Sequence, residues 1–121
     1  MSLTNAGEDR VLTLIKDDGP YYLALFTVAP GEAGGGTEVS GGAYARQAVT
    51  FGAPSGGSMK NSAAIEFPTA TANWGTANAW GLFDAATSGN LIWYGDIDTP
   101  KELLAGDSYR ITAGSLTLTM D

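Results

Sequence analysis

Ser115-Leu116-Thr117-Leu118-Thr119-Met120 is the most regular alternation in the chain, with Leu116, Leu118 and Met120 on one side and Ser115, Thr117 and Thr119 on the other. A period of two with one apolar and one polar face predicts an antiparallel strand, packed on one side and wet on the other. Working back from it, residues 108–112 read as a further strand and residues 100–106 as a connector. Residues 79–84 and 91–95 are apolar, aromatic runs that read as the two arms of a hairpin around residues 85–90.

The same signals continue toward the N-terminus. Residues 58–67 read as a strand with Ala63, Ile65 and Phe67 inward and Asn61, Ala64 and Glu66 outward. Residues 53–57 are a turn cluster, and residues 43–51 and 21–27 are two more strands. Between those two, residues 30–42 hold six glycines in thirteen positions and predict a long surface loop. Seven short strands at intervals of roughly ten residues favour a sandwich or barrel over alternating strands and helices. Residues 4–16 are the helical exception. Asn5 and Glu8 have the spacing of a capping pair, and Val11, Leu12 and Ile15 share a face with Leu14 nearby. Asp17-Asp18-Gly19-Pro20 stops the helix. The expected fold is therefore mainly β: an antiparallel β-sandwich of about seven short strands with one short N-terminal helix. It forms one domain over residues 1–121, with the helix at 4–16 and the sheet region at 21–120.

A chain of 12.4 kDa should expose roughly 6,000 Å² when folded against roughly 18,000 Å² unfolded, which allows a modest core. The 17 glycines point to turns and close approaches, and a charged fraction of only 16% suits a surface partly covered by neighbours. Six basic residues scattered among thirteen acidic ones leave a net charge of −7 and no cluster for phosphate, which argues against nucleic acid and anionic membrane. No apolar run approaches the ~20 residues of a membrane span, and no charged-then-apolar leader opens the chain. The absence of cysteine and histidine removes disulfides, thiolate chemistry, histidine-based triads and histidine-ligated zinc.

Carboxylates are the remaining chemistry. Asp84, Asp96 and Asp98 flank the predicted hairpin and could converge on a metal, but no calcium-loop pattern surrounds them, and the plain reading is turn and cap acids. Ser58 and Lys60 share one side of a strand without the glycine elbow a nucleophile needs, and Gly34-Gly35-Gly36 is not followed by the Lys-Ser/Thr of a phosphate loop. Trp74, Trp80, Trp93 and Tyr94 could stack on sugar rings or fill a core; Trp74, set among Thr71, Asn73, Gly75 and Thr76, is the one expected at the surface. Arg46, mid-strand beside Tyr44 in an acidic protein, is expected to pair with a carboxylate or stack on an aromatic, within the chain or across a subunit boundary. Leu25-Phe26-Thr27 and Leu82-Phe83-Asp84 repeat one order, either as equivalent strands of facing sheets or by chance in a low-complexity composition.

Several runs in sequence order carry a resemblance: Leu3-Thr4-Asn5-Ala6 with Glu8, Leu23-Ala24-Leu25-Phe26-Thr27, the stretch 36–42 with Tyr44-Ala45-Arg46-Gln47, and residues 61–68. Trp74-Gly75, Leu82-Phe83-Asp84, Gly89-Asn90-Leu91, Pro100-Lys101, Ala105-Gly106-Asp107 and Leu116-Thr117-Leu118-Thr119 extend it over nearly the whole chain. In these the chain resembles a family of small tailed-phage and prophage proteins known as tail fibre proteins, with a shorter segment from helix to first strand than many of them have. The resemblance implies a virion structural protein of the tail, with no catalytic residues, no cofactor and no metal. The partners expected are other phage structural proteins and further copies of itself, with a host surface glycan as a further candidate should the aromatics stack on sugar. A head decoration protein and a carbohydrate-binding module are the alternatives. The contact elements expected on this reading are the loop residues Glu32, Thr37 and Glu38, with Trp74, and the pair Tyr44 and Arg46 at a structural contact or interface.

Overall fold

The computed structural model describes residues 1–120. Helix α1, Asn5–Asp18, begins one residue later than the predicted range and ends two residues beyond it. Its cap is Thr4 rather than Asn5: the Thr4 backbone is extended, its hydroxyl accepts the Gly7 N–H at 3.1 Å, and its carbonyl accepts the Glu8 N–H at 2.8 Å. Leu12 is fully buried beneath the helix, whereas Leu14 points to solvent. Two polar contacts dock the helix: Asp9 Oδ1 accepts the Gly57 N–H at 2.8 Å, and the Tyr21 hydroxyl donates to the Ile15 carbonyl at 2.7 Å.

Strand β1, Tyr21–Val28, is the spine of the main sheet. The short strands β2, Thr37–Glu38, and β3, Gln47–Val49, share one of its edges, pairing with its second and first halves respectively. Downstream, β4, Ser58–Lys60, and β5, Ile65–Glu66, precede β6, Gly75–Phe83, which takes the other edge of β1 with Leu23 opposite Leu82. β7, Leu91–Leu103, lies outside β6. Two small ladders complete the architecture: β5 with β8, Arg110–Ile111, and β4 with β9, Thr117–Thr119. All pairings are antiparallel, as the alternation of the last strand requires. The mainly β, sandwich-like class expected from the sequence is the one observed. Leu23, Leu25 and Leu82 of the main sheet belong to one core with Leu12, Met59, Leu116 and Leu118. Leu116 and Leu118 are buried while Thr117 and Thr119 are exposed, in keeping with their alternation.

Among the described residues, nine strands replace the seven expected, for two reasons. The predicted loop 30–42 contains β2, because Phe26 and Val28 offer their open edge to Glu38 and Thr37. The predicted strand 58–67 breaks, because its first part pairs with β9 and its last part with β8. Asn61 sits at that break and reverses its expected direction. It is 2% exposed, while Ala63, expected inward, faces solvent. The amide of Asn61 donates to the Ala63 and Thr112 carbonyls at 2.8 and 3.1 Å and accepts the Leu116 N–H at 2.9 Å. An amide with both ends satisfied loses little on burial. The strand expected over 43–51 shortens to β3: Ala43, at its expected start, takes positive φ, and Phe51, at its expected end, keeps only an isolated bridge to Asn61. The connector expected over 100–106 is in its first part strand, as β7 continues to Leu103. The repeated Leu-Phe runs lie on β1 and β6, which are neighbours in one sheet and not members of facing sheets. Trp80 Nε1 is buried without a hydrogen-bond partner among the described residues; the Tyr109 hydroxyl lies near it, outside hydrogen-bond geometry.

Candidate functional site

One end of the main sheet gathers most of the residues singled out in the sequence. Glu38 ends β2, Arg46 immediately precedes β3, and the turn 84–90 joins β6 to β7. Arg46 Nε and Nη2 donate to the two carboxylate oxygens of Glu38 at 2.9 and 2.8 Å. Arg46 Nη1 donates to the Ala85 and Ser88 carbonyls at 3.0 and 2.7 Å. The guanidinium carbon lies 3.6 Å from the centre of the Phe83 ring. Only a planar, forked donor satisfies a carboxylate, two carbonyls and a ring face together. The side chain of Arg46 is 9% exposed and that of Glu38 24%, so this is a sheltered pair rather than a surface one.

Tyr44 completes the cluster. Its hydroxyl donates to Glu38 Oε2 at 2.7 Å and accepts the Leu25 N–H at 3.0 Å. Burial, and then the Glu38 carboxylate, push that hydroxyl far above the ordinary tyrosine range, so it stays protonated. The hydrogen bonds to Glu38 likewise raise the Arg46 guanidinium. The pairing of Arg46 is thus internal, tying residues 37–39, residues 44–46 and the turn 85–88 to one point.

The ring of Tyr44 stacks on Phe67 with centroids 6.1 Å apart and meets Trp74 edge-on at 5.4 Å. Trp74 is 5% exposed, which corrects the expectation that it lies at the surface. Its Nε1 donates to the Gly42 carbonyl at 2.9 Å and its backbone N–H donates to Leu103 at 2.8 Å. Its neighbours in sequence are polar and small, but its cover comes from residues 41–44, thirty positions away. Gly42 makes that cover possible: its φ is +56°, and a Cβ there would lie 2.8 Å from Trp74 Nε1.

Beside this cluster lies an open cleft of about 530 Å³. Phe26 and Phe83, stacked at 6.1 Å with 9° between their planes, form its floor. Residues 32–35 form one wall and residues 89–91 the other, with Glu38 at its end. Glu32, on the loop that leads into β2, reaches β7 on the far side of the sheet, where the Tyr94 hydroxyl donates to its Oε2 at 2.8 Å. Thr37 is exposed on β2 and contributes its carbonyl to the Thr27 hydroxyl at 3.3 Å. The structure thus brings Glu32 and Glu38 to one cleft, ties Glu38 to Tyr44 and Arg46, and leaves Thr37 at the rim.

The aspartates do not converge. Asp84 closes the turn, its two oxygens accepting the Asn90 backbone and side-chain amides at 2.7 and 3.1 Å, and the backbone amide first among them lowers its carboxyl below the ordinary range. Asp96 and Asp98 are exposed on β7, and no metal-holding group of three or more acidic side chains occurs among the described residues. Phe83 and Tyr94 are the cluster residues that sequence reasoning did not single out for it. The repeated Leu-Phe order was the available signal for Phe83, because antiparallel neighbours carrying that order bring their Phe rings together. Chemically, this end of the molecule fixes loop geometry: its acids are partnered, its arginine is neutralised, and its tyrosine holds its proton.

A family model described as podophage GP4 fiber I protein gp80 matches residues 18–119, which takes in every strand and leaves most of α1 outside. No curated protein matches the chain.

Proposed function

This chain belongs to the podophage GP4 fiber I protein gp80 family, and we propose that it is a non-enzymatic component of the virion that works by protein–protein contact in several copies. The family is one of phage fibre-type structural proteins, as the resemblance in the sequence implied. The observation that carries the non-enzymatic reading is the mutual pairing of Glu38, Tyr44 and Arg46. Glu38 accepts three hydrogen bonds from Tyr44 and Arg46, the Tyr44 hydroxyl is held protonated, and a carboxylate and phenol committed to each other and to an arginine serve to hold structure rather than to move protons. Such a cluster holds the glycine-rich loop and the turn 84–90 in a set shape at one end of the sheet. A fixed surface presented in many copies turns weak single contacts into firm attachment.

Fractionation of purified particles tests this reading. When fibres are sheared from the particles, the chain should leave with the fibre fraction, identified by peptide mass spectrometry. Retention on the fibreless heads would place it in head decoration and refute the tail assignment. The solution mass should be a multiple of 12.4 kDa, and a monomer at high concentration would refute the multi-copy part. A sugar-stacking role through Trp74 has no surface to act on, since that ring is packed inside.

A further inference from the structure

Strand β7 is the outermost strand of the main sheet, and among the described residues it pairs with β6 alone. Its outer edge therefore offers backbone donors and acceptors to whatever lies alongside. The two halves of the strand differ. From Asp96 to Glu102 the edge carries Asp96, Asp98, Pro100, Lys101 and Glu102, the charges and proline that discourage strand pairing. From Leu91 to Gly95 it carries no charge and no proline, and Ile92 and Tyr94 are about two-fifths exposed, at 42% and 39%. The unprotected half is thus confined to five residues.

A groove runs along that half. Two adjoining hollows of about 120 and 580 Å³ share Trp93 and Tyr94, and the opposite wall of both comes from residues 116–120. That wall is β9 and its flanks, and β9 pairs only with β4 among the described residues. Trp80 and Leu82 lie on the deeper floor, and Ile15 of the helix stands at the shallower end. Among the described residues, the charged side chains along the groove are both acids, Asp96 at the deeper hollow and Glu32 at the shallower one.

We propose that this groove receives an extended segment of another virion protein, apolar at alternate positions and basic at its ends, as an added strand on β7. An open strand edge selects an extended backbone, and the trough of Trp93, Leu118 and Met120 selects apolar side chains every second residue. The acids beside it, Glu32 on the Tyr94 hydroxyl at one hollow and Asp96 at the other, select lysine or arginine at the flanking positions. A second copy of this chain is a poorer occupant. Self-pairing would bring Glu32 and Asp96 of one copy beside the same two acids of the other, between two chains each of net charge −7. A strand of this length buries far less than the ~1,600 Å² of a standard interface, so one groove holds weakly and many grooves hold firmly. That the partner is a virion protein rests on the function proposed above; the preference of the groove for a basic-ended strand does not.

The test uses the full chain and the synthetic peptide acetyl-Lys-Thr-Val-Thr-Val-Thr-Lys-amide, followed by indole fluorescence and calorimetry. Comparison peptides carry Glu at both ends, or Pro in place of the central residue. The Lys-ended peptide should bind and shift the indole emission, the Glu-ended one should bind at least tenfold more weakly, and the Pro peptide should not bind. In Asp96→Lys, an exposed position, the gap between the Lys-ended and Glu-ended peptides should narrow at least tenfold. Absence of binding by the Lys-ended peptide, or an unchanged gap in Asp96→Lys, overturns the proposal. So does self-association of the protein that Ile92→Asp abolishes, which would give the groove to a second copy. Because no particle enters the experiment, its failure leaves the fibre assignment untouched.

Discussion

Replacing Arg46 tests the role of the cluster directly, because that single side chain holds three segments. In Arg46→Ala, Glu38 loses two charge-assisted hydrogen bonds, the Ala85 and Ser88 carbonyls lose their donor, and Phe83 loses the cation above its ring. Breaking a buried ion pair from one side costs about 3–5 kcal/mol. Glu38 remains a quarter exposed at 24% and can be rehydrated, which brings the expected loss toward about 2–3 kcal/mol. For a chain of this size each kcal/mol corresponds to about 3–5 °C in Tm, so Arg46→Ala should melt roughly 6–15 °C below the parent. Arg46→Lys keeps the charge but cannot make the fork or lie flat on the ring, and should lose about 1–2 kcal/mol. A double-mutant cycle with Glu38→Gln in urea should return a coupling of about 1.5–3 kcal/mol. Stability of Arg46→Ala within about 0.5 kcal/mol of the parent, the spread of an ordinary surface change, would refute the reasoning, as would a Lys variant equal to the parent.

Other consequences follow from the same geometry. Trp74→Ala should destabilise the fold by about 3–5 kcal/mol by leaving a cavity under Gly42, measurable by denaturant titration; a stable variant would mean the ring is dispensable to packing. The Tyr44 hydroxyl has a folded pKa raised above its unfolded value near 10, so its contribution is full below about pH 10 and lost as pH rises beyond it. Stability should therefore fall above about pH 10, and Tyr44→Phe should flatten that fall while lowering stability at neutral pH; an unchanged alkaline limb would contradict the assignment. Limited proteolysis with a glutamate-specific protease should cut after Glu32, which is exposed, and spare Glu38, which is clamped by Arg46 and Tyr44; equal cutting at both would show that the clamp does not hold. Asn61→Leu should cost about 1–3 kcal/mol by stranding the Leu116 N–H, read by urea unfolding, and a neutral result would sink the account of why Asn61 is buried.

The alternation at residues 115–120 predicted the antiparallel class because one face of that strand meets the core and the other meets water, a condition local to the strand. The hairpin of β6 and β7 was legible for the same reason, though its arms extend further because Thr76 and Glu102 find each other in register. Trp74 and Asn61 were misread because their cover comes from far along the chain: residues 41–44 for Trp74, and Thr112 and Leu116 for Asn61. A strand of two residues such as β2 has no period to detect, and it exists only where Phe26 and Val28 present an edge. The partners of Arg46 were legible as types, a carboxylate and an aromatic. Their identities were not, since Glu38 and Phe83 reach it only through the pairing of β2 and β6 with β1.

A cryo-electron map of the intact particle, at a resolution that separates β-strands, tests the structural role most directly. The expected result is this sheet repeated in the fibre, its Glu38–Arg46 cluster intact and its β7 edge against a neighbouring chain. Finding the same sheet in the head lattice, or nowhere in the particle, would contradict the role assigned to it.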